Sequence, residues 1–458
     1  MKERKMPTAY TILFALLLLV AVSTWLIPAG EYEYRDGAPL PGSYHAVEAN
    51  PQGVGDALLA AFQGFYDAVD VAVFLLVMGG FLAVVMKTGA IDAGISRIIE
   101  KLQGREHWLI PILMLFFGLN GTTYGSWEET MAFYPLLIPV FLAAGYDTLV
   151  AVAVVLLGAG AGVLSSTVNP FATGIASGFA GITLSQGLSL RLIQWVLFEG
   201  VAILFVMRYA KKVKHRPESS LVGFGHEQLH TSSQEAPPLT RKRIIVLLAF
   251  AFSFLLMIYS VIPFDEIGLP LPTLGWWFPE LAALYLVAAV VIGLFYGLGE
   301  KTIAQEFVSG SADLVGVAFV IGISRGITVL MNNGRITGTI LHWGEQALSG
   351  SGSVLFILLV FLIYLPLSVL IPSTSGLATL SIPILAPLGQ FAGVKSSLII
   401  TAFQSASGIV NLWTPTAGVL MGALALGWVP YDKWLRFSLK PVLCFFLLTA
   451  ALLALAAL

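Results

Sequence analysis

The sequence contains little charge, one cysteine and few histidines. Asp, Glu, Lys and Arg make up 11% of its 458 residues, against about 25% in an ordinary soluble domain. The lone Cys444 excludes an intramolecular disulfide and leaves the redox compartment undecided. His215, His226 and His230 are not spaced as metal ligands. The formal net charge of −2 is not gathered into a basic stripe, so the composition gives no indication of a nucleic-acid partner.

Long apolar runs take up most of the chain instead. Hydrophobic residues amount to 57% of the sequence, and the mean hydropathy is +0.87. The length of the runs favours helices over the strands of a membrane barrel, which have about ten residues of alternating polarity. The chain is long enough for about ten helical spans of roughly 20 residues each. We therefore predict an all-α, polytopic membrane protein with room for an internal site.

The charge outside the apolar runs predicts the orientation of the chain. A basic start precedes an apolar run from Thr8 to Ile27 without a cleavage pattern, so we interpret this run as a retained first span with a cytoplasmic amino terminus. The acidic stretch from Glu31 to Asp70 is predicted to be external, with an interfacial helix over Gly53 to Phe65. The polar segment Pro217 to Thr240, which ends on a basic run, is predicted to be a flexible cytoplasmic linker.

Four landmarks of the first half recur about 250 residues further along the chain. They are Met86-x-x-Gly-x-Ile and Met331-x-x-Gly-x-Ile, Thr-Tyr-Gly125 and Thr-Ser-Gly376, Pro135-x-x-x-Pro139 and Pro383-x-x-x-Pro387, and Gly162 with Pro170 and Gly408 with Pro415. An extra span, Ile244 to Ile262, separates the copies, so the second copy is predicted to be inverted. We divide the chain into a first inverted repeat (1–216), a cytoplasmic linker (217–243), a connecting transmembrane helix (244–263) and a second inverted repeat (264–458).

Each predicted repeat contains a polar tip between two short apolar arms. The arms around Asn120 to Thr130 have only about 12 to 14 residues, too few to cross a bilayer comfortably. We therefore predict a re-entrant hairpin, which enters and leaves the membrane on one side; an ordinary helix pair joined outside is the alternative. Pro372 to Gly376 is the tip of the second predicted hairpin. Irregular backbone at this depth is tolerated only where it is buried in protein or lines a cavity.

Each predicted repeat also contains a helix interrupted by proline. Pro170 follows Ser165 to Asn169, and Pro415 follows Asn411 to Thr414. Proline removes a backbone donor and disfavours helix at the preceding residue, so we predict a discontinuous helix at both places. A proline kink packed by neighbouring helices is the alternative. Paired hairpins and paired breaks in inverted repeats are typical of a secondary transporter.

The remaining apolar runs of the second half predict further elements. They are a cytoplasmic surface helix over Gly299 to Ser311, a separate span over Asp313 to Met331, an external stretch over Asn333 to Gly352, and a last span over Pro441 to Leu458 after a basic turn with Lys433, Arg436 and Lys440.

The polar segments resemble the C4-dicarboxylate anaerobic carrier family of the ion transporter superfamily, and within it the branch of YfcC-like and ArcD-like basic amino acid antiporters. The resemblance is carried by Gly121-Thr-Thr-Tyr-Gly125 with Glu128-Glu-Thr130, Ser165-x-x-x-Asn-Pro-Phe171, Gly326 to Gly334, Pro372 to Gly376 and Asn411-Leu-x-x-Pro-Thr-x-Gly418. It covers nearly the whole chain except the linker. It implies an inner-membrane carrier, a homodimer and an elevator-type movement of the hairpin domain. It does not decide the substrate, because members are named for dicarboxylates or for arginine and ornithine.

Charged residues in apolar surroundings are the first candidates for a site. A carboxylate at bilayer depth costs at least about 2.5–3.5 kcal/mol, so Glu128 and Glu129 are predicted to be functional. Neighbouring helical residues point about 100° apart, so we expect one acid to face a cationic substrate or a proton and the other to accept backbone amides. The alternative leaves both in water at the cytoplasmic mouth. Arg325 could hold a substrate carboxylate, or pair with Glu199 or a hairpin glutamate.

Two sets of residues follow from the tips, the breaks and the surroundings of Arg325. The predicted substrate-binding residues are Asn120, Thr122, Thr123, Tyr124, Gly125, Glu128, Glu129, Asn169, Pro170, Arg325, Asn332, Asn333, Ser373, Thr374, Ser375, Gly376, Asn411, Thr414, Pro415 and Thr416. The candidate sodium ligands are Thr122, Thr123, Ser165, Ser166 and Asn169 in the first half and Ser373, Thr374, Asn411 and Thr414 in the second. A proton is the other candidate coupling ion, an exchanger needs neither, and no other cofactor is predicted.

Both signs of charge beside amides and hydroxyls suit a zwitterion with an additional positive group. We therefore predict a secondary active transporter, either an antiporter or an ion-coupled symporter, for amino acids, especially basic ones such as arginine and ornithine. A C4-dicarboxylate carrier is the alternative, which two acids at the first tip disfavour. A channel does not explain two inverted hairpins. An intramembrane enzyme would need a nucleophile with a base or a cluster of metal ligands, and the apolar segments offer neither.

Overall fold

The computed structural model is almost entirely helical. It describes residues 9–35, 38–40, 42–94, 97, 105–123, 125–223, 237–261, 264, 270–276, 278–348, 350 and 352–458. Within these ranges, seven helices are long and apolar enough to cross a membrane. The prediction of a helical, multi-pass membrane protein is confirmed at this level. Residues 1–8 and 224–236 lie outside the described residues, and with them most of the basic start and of the linker.

The first half begins with a helix at the position of the predicted first span. Its helices are α1 (Ala9–Leu26), α2 (Val54–Asp67), α3 (Val69–Lys87), α4 (Leu109–Thr123), α5 (Tyr134–Ala143), α6 (Thr148–Ser165), α7 (Ile175–Ala180) and α8 (Leu188–His215). The helix predicted over Gly53 to Phe65 corresponds to α2. The stretch predicted to be external also contains two small antiparallel sheets, which were not expected from the sequence. They pair Gly30–Glu31 with His45–Ala46 and Tyr34–Arg35 with Ala38–Pro39.

The second half has a similar succession of helices. They are α9 (Arg241–Val261), α10 (Phe278–Tyr296), α11 (Glu300–Asn333), α12 (Thr337–Leu348), α13 (Ser353–Leu370), α14 (Thr374–Phe391), α15 (Ser396–Asn411), α16 (Gly418–Leu426) and α17 (Tyr431–Ala456). α12 lies within the stretch that the sequence analysis predicts to be external.

Two helices end and restart at the predicted proline positions. α6 ends at Ser165, where Ser166 takes a left-handed conformation with φ of 40°. A π-helical turn over Pro170–Gly174 then leads into α7. In the second half, α15 ends at Asn411 and α16 begins at Gly418. The interruptions are therefore present in the described chain.

Both polar tips also separate two helices. The first lies between α4 and a 3₁₀ helix, Glu128–Phe133, that leads into α5. The second lies between α13 and α14. The side from which each pair enters a bilayer stays a prediction, as do the inverted repeat and the elevator-type movement.

The predicted boundary between a surface helix and a span at Ser311 is wrong. Residues 300–333 form one helix of 34 residues. The Oγ of Ser311 lies 2.8 Å from the Leu76 carbonyl oxygen of α3. Beside it, a Cβ placed on Gly310 would lie 2.3 Å from the Gly79 carbonyl oxygen. The small and polar residues that suggest a loop therefore form a close contact between two helices.

The basic turn predicted before the last span is also wrong. α17 begins at Tyr431 and runs for 26 residues through Pro441, so Lys433, Arg436 and Lys440 lie within the helix.

The two interrupted helices form the centre of the molecule. All 18 residues of α6 are buried, and nearly every residue of α15 is buried as well. α11 approaches this centre while held closely to α2, because a Cβ on Gly64 would lie 2.1 Å from the backbone nitrogen of Gly326. This contact fixes the position of Arg325, the residue before Gly326, relative to α2.

Candidate functional site

A cavity lies where the two tips, the two helix breaks and α11 meet. Its volume is about 170 Å³. A single water needs about 10–15 Å³ on the same measure, so the cavity has room for a small organic solute. The predicted substrate-binding residues that line it are Gly125, Glu128, Glu129, Asn169, Arg325, Ser373, Thr374, Ser375, Asn411 and Thr416.

Gly125 brings the first tip into contact with the first break. Its φ of +85° lies in the left-handed region, and its N–H donates to the Asn120 carbonyl oxygen at 3.1 Å. A Cβ at this position would lie 2.5 Å from the Asn169 Oδ1. Only glycine therefore satisfies both the backbone conformation and the space.

Side chains next to the first break satisfy its backbone. The Oδ1 of Asn169 accepts from the N–H of Phe171 at 2.9 Å, and its Nδ2 donates to the Oγ of Ser166 at 3.1 Å. The N–H of Thr167 donates to the Thr122 Oγ1 at 3.1 Å, which ties the break to α4. Residues of the first half hold much of this break, and Gln404 of α15 adds to it, because its Nε2 donates to the Ser165 carbonyl oxygen at 2.7 Å.

The two acids of the first tip differ in their contacts. Both line the cavity. Glu129 is buried, and its Oε2 accepts the backbone N–H of Trp127 at 3.2 Å. Glu128 is half-buried, and the Arg325 guanidinium attracts its carboxylate. Glu129 is thus an acceptor of a backbone amide, as expected of one of the two acids. The role of the other acid toward a cationic substrate or a proton stays a prediction. Burial of Glu129 is inconsistent with the alternative that both acids lie in open water.

Arg325 brings a positive charge to the same cavity. Its neighbour Ser324 donates a hydrogen bond from Oγ to the Thr416 carbonyl oxygen in the second break. The alternative pairing of Arg325 with Glu199 is wrong, because both carboxylate oxygens of Glu199 are buried without a hydrogen-bond partner in the described part of the chain. The acid that shares the cavity with Arg325 is a glutamate of the first tip.

The second tip supplies neutral groups. The Oγ of Ser373 caps α14 by accepting the Gly376 N–H at 3.2 Å. The Thr374 Oγ1 lies 3.4 Å from the Oγ of Ser407 in α15, which connects this tip to the second interrupted helix. No acid or base lies between Pro372 and Gly376.

The second break is held by a distant helix. Leu412 and Trp413, which follow α15, have carbonyl oxygens that accept from Trp434 Nε1 at 2.8 Å and from the Tyr431 hydroxyl, both in α17. Within the break, the hydroxyls of Thr414 and Thr416 lie 2.9 Å apart.

Several predicted residues lie away from the cavity. Asn332 and Asn333 come about 10 Å beyond Arg325 along the helix axis, where Asn332 accepts from Thr337 and Asn333 donates to Gln63. The remaining residues absent from the lining are Asn120, Thr122, Thr123, Gly376, Thr414 and Pro415. Tyr124 and the side chain of Pro170 lie outside the described residues.

The candidate sodium ligands of the first half do not face one space. Thr123 is exposed and donates to the Leu119 carbonyl oxygen at 2.6 Å, whereas Ser165 is fully buried and donates to Ala161 at 2.7 Å. Asn169 alone of that set lines the cavity. Within the described ranges, no group of three or more His, Cys, Asp or Glu could hold a metal ion. A sodium site stays a prediction.

Part of the lining was not predicted from the sequence. The missed residues include Trp127, Phe171, Phe278, Ile321 and Ser324. Trp127 directly precedes the acid pair and Ser324 directly precedes Arg325, so their position beside predicted residues was a usable signal. Phe278 had none, because an aromatic residue at the start of an apolar helix is ordinary.

Apolar helices packed around a cavity with both signs of charge are what a membrane transport protein requires, and comparison with known proteins identifies the class as a membrane transporter. The model of the C4-dicarboxylate anaerobic carrier family matches residues 6–458. The chain belongs to this family, as its polar segments indicate.

Two relatives match almost end to end. An "Uncharacterized protein" of Haemophilus influenzae is 32% identical over 504 aligned residues, covering 99% of this chain and 97% of the relative. The "Putative basic amino acid antiporter YfcC" of Escherichia coli K12 is 29% identical over 482 residues, covering 94% and 92%.

Two solved transporter structures are also similar. The YdaH transporter of Alcanivorax borkumensis has a TM-score of 0.47 at 15% identity, with 98% of each chain covered. MtrF of Neisseria gonorrhoeae, described as an antimetabolite efflux pump, has a TM-score of 0.44 at 15% identity, covering 99% of this chain and 95% of its own.

Proposed function

We propose that this protein is a secondary active transporter that carries amino acids, especially basic ones such as arginine and ornithine, across the inner membrane. It works as an antiporter or as an ion-coupled symporter. The observation that carries the proposal is a cavity that Glu128 and Arg325 line together with residues of both tips and both breaks.

The charges of the cavity match the two ends of a basic amino acid. The planar fork of Arg325 suits the α-carboxylate of the substrate. Glu128 suits the side-chain cation, because Glu129 already accepts a backbone amide from Trp127. Hydroxyl and amide groups such as those of Ser373 and Asn411 would orient the substrate between the two charges. The name of the Escherichia coli relative supports the same substrate class.

Movement of the cavity between the two sides of the membrane completes the proposal. We include in it the elevator-type displacement of the hairpins, the inverted arrangement of the two repeats, and a homodimer. Substrate sites at the meeting point of half-helices, with alternating access around them, are common to secondary transporters.

Counterflow in proteoliposomes tests the substrate class. Vesicles loaded with unlabelled arginine should accumulate labelled arginine in a saturable way. Loss of one partner of a buried charge pair costs about 2–5 kcal/mol, so Glu128→Gln should lower the rate by about 30-fold or more. Glu300→Gln is the matched control, because Glu300 is exposed at the start of α11, and it should leave the rate unchanged.

Equal counterflow in wild type and Glu128→Gln would contradict the role of Glu128 toward a cationic substrate. Absence of arginine and ornithine counterflow in the wild type would contradict the substrate class itself.

A C4-dicarboxylate is the second candidate, because Arg325 in the cavity could hold one carboxylate. The same vesicles loaded with succinate separate the two. A dicarboxylate carrier should lose succinate counterflow in Arg325→Gln and retain or increase it in Glu128→Gln, since that substitution removes a repelling charge. An amino acid carrier should lose arginine counterflow in both variants.

A further inference from the structure

Glu199 is a buried acid that lies outside the cavity. It occupies the middle of α8, Leu188–His215, in a helix apolar enough to span a membrane. Its side chain is 2% exposed. Neither carboxylate oxygen has a hydrogen-bond partner in the described part of the chain.

The carboxyl group of Glu199 lies directly against the first arm of the tip. A Cβ placed on Gly118 would lie 2.2 Å from the Oε2 of Glu199, so the acid occupies the space that the glycine leaves free. Gly118 belongs to α4, the helix that leads to Gly125 and the two acids of the tip. Glu199 is therefore in contact with an element that shapes the cavity.

In the part of the chain that the structure describes, the helices packed against α8 bring no counter-charge to Glu199. α4 and α6 both pack against α8 and contain no titratable side chain. α17 reaches this level through Phe445, whose ring centroid lies 5.3 Å from that of Phe198. The titratable residues near that point of α17 are Cys444, which is half-buried, and Lys440, which is exposed.

The arginines of α8 itself are directed elsewhere. Arg191 lies about 12 Å from Glu199 along the helix axis, and its Nη2 donates to the Leu184 carbonyl oxygen at 2.5 Å. Arg208 lies about 13.5 Å away in the other direction and is exposed.

An ionised carboxylate without a partner costs several kcal/mol in a protein interior, and more where lipid replaces water outside. We propose that Glu199 is the proton-carrying site that couples transport to a proton gradient. In the conformation described here the carboxyl group holds its proton. Displacement of α4 uncovers it, the proton leaves to water as a hydronium ion, and the carboxylate must be protonated again before α4 can return. No other bond forms or breaks.

The conformation in which α4 covers Glu199 requires a proton on this side chain. Its population therefore rises with the proton concentration on the side of the membrane from which water reaches Glu199. The coupling therefore depends on one residue at the contact between α8 and the tip arm. This inference rests on the proposed transport function, but the state of the proton can be measured without transport.

Infrared spectroscopy of the purified protein tests the protonation directly. At neutral pH the wild type should show the C=O stretch of a protonated carboxyl group that Glu199→Gln lacks and that Glu300→Gln retains. A difference spectrum between wild type and Glu199→Gln without this band would overturn the proposal. Glu199→Asp keeps a titratable group and should keep a band, shifted in position.

Transport tests the coupling. Glu199→Gln imitates the protonated acid, so it should retain arginine counterflow within about twofold of the wild type and lose accumulation driven by an imposed pH gradient. Glu199→Asp should keep part of that accumulation. Equal gradient-driven accumulation in wild type and Glu199→Gln, or none in the wild type, would overturn the coupling. If the wild type shows no arginine counterflow, the substrate proposal fails while the infrared result still decides whether Glu199 holds a proton.

Discussion

The two halves of the chain contribute to one cavity by different means. In the first half, charge lies at the tip, and the helix break is held mainly by neighbouring groups such as Asn169 and Thr122, with one further donor, Gln404, from α15. In the second half, the tip is neutral, and the break is held from α17 by Trp434. Similar backbone outlines thus support separate tasks. The first tip supplies the acids, the second tip supplies neutral hydrogen-bonding groups, and Arg325 of α11 adds the positive charge. Variants at matching positions can break or sharpen this comparison.

The largest difference is expected at the two tip glycines, Gly125 and Gly376. Gly125→Ala adds a side chain at a positive φ, 2.5 Å from Asn169, so the first tip must shift and transport should fall to background. Gly376→Ala meets only the Ser373 side chain at 3.1 Å and has no positive φ, so it should lower the counterflow rate by less than about tenfold.

Gly145→Ala is the control for backbone strain alone, because its φ is +84° and nothing lies within 4 Å of the added Cβ. It should cost about 1–2 kcal/mol of stability and leave transport measurable. Equal transport in Gly125→Ala and Gly376→Ala would show that the contact with Asn169 does not matter.

The next difference concerns the starts of the two interrupted helices. Asp147 caps α6 by accepting the Val150 N–H at 2.9 Å, and it also accepts from Tyr209 at 2.7 Å and Ser220 at 2.6 Å. Asn caps a helix about as well as Asp, but its amide nitrogen cannot accept from Tyr209 and Ser220, so Asp147→Asn should cost about 2–4 kcal/mol from these two hydrogen bonds to a charged group. Lys395, at the start of α15, is exposed and makes no side-chain cap, so Lys395→Ala should be near neutral in thermal unfolding.

The contribution of Asp147 to stability also depends on pH. Burial raises the pKa of Asp147 above its usual 3.8, although hydrogen bonds from Ser220 and Tyr209 oppose the shift. A raised pKa contributes stability that is fully present below pH 3.8 and is lost as the pH rises through the folded-state pKa. Asp147→Asn cannot titrate, so the stability gap between wild type and variant should be narrower at neutral pH than near pH 4. A gap that widens toward neutral pH would contradict this assignment.

The smallest effect is expected at the cap of the second tip. Ser373→Ala removes the acceptor for the Gly376 N–H and should lower the free energy of unfolding by about 1 kcal/mol. Ser373→Thr keeps the hydroxyl and should restore most of it. The first tip has no such cap, because Trp127 precedes the 3₁₀ helix without a side-chain hydrogen bond. A Thr variant as unstable as the Ala variant would point to packing rather than capping.

Helix existence and the two proline breaks follow from sequence patterns, since long apolar runs and proline act locally. The boundary predicted at Ser311 was wrong because the conformation there depends on a contact with a distant part of the chain. Gly310 and Ser311 are loop-like residues by composition, yet in α11 they allow close contact with α3. Their role depends on a partner more than 200 residues away, which local reasoning does not detect.

The residues of the candidate site also fall into those that local sequence features identify and those that depend on distant packing. Glu128, Glu129 and Arg325 could be predicted because charge in apolar surroundings is costly and conspicuous. Asn332 and Asn333 follow Arg325 closely in sequence, but in a continuous helix this separation places them about two turns away, so proximity along the chain was misleading for them. Phe278 lines the cavity without any sequence signal, because its place depends on how α10 packs.

The hydrogen bond from Trp434 to Leu412 has a consequence for biosynthesis. Ribosomes deliver α15 and its break to the membrane before α17 exists, so the Leu412 carbonyl must wait for a donor that is translated later. Until then the second side of the cavity lacks part of its support, whereas the first break has its partners as soon as α15, which carries Gln404, is in place. A nascent carrier would therefore complete the first break before the second and become competent to bind only when α17 has been inserted.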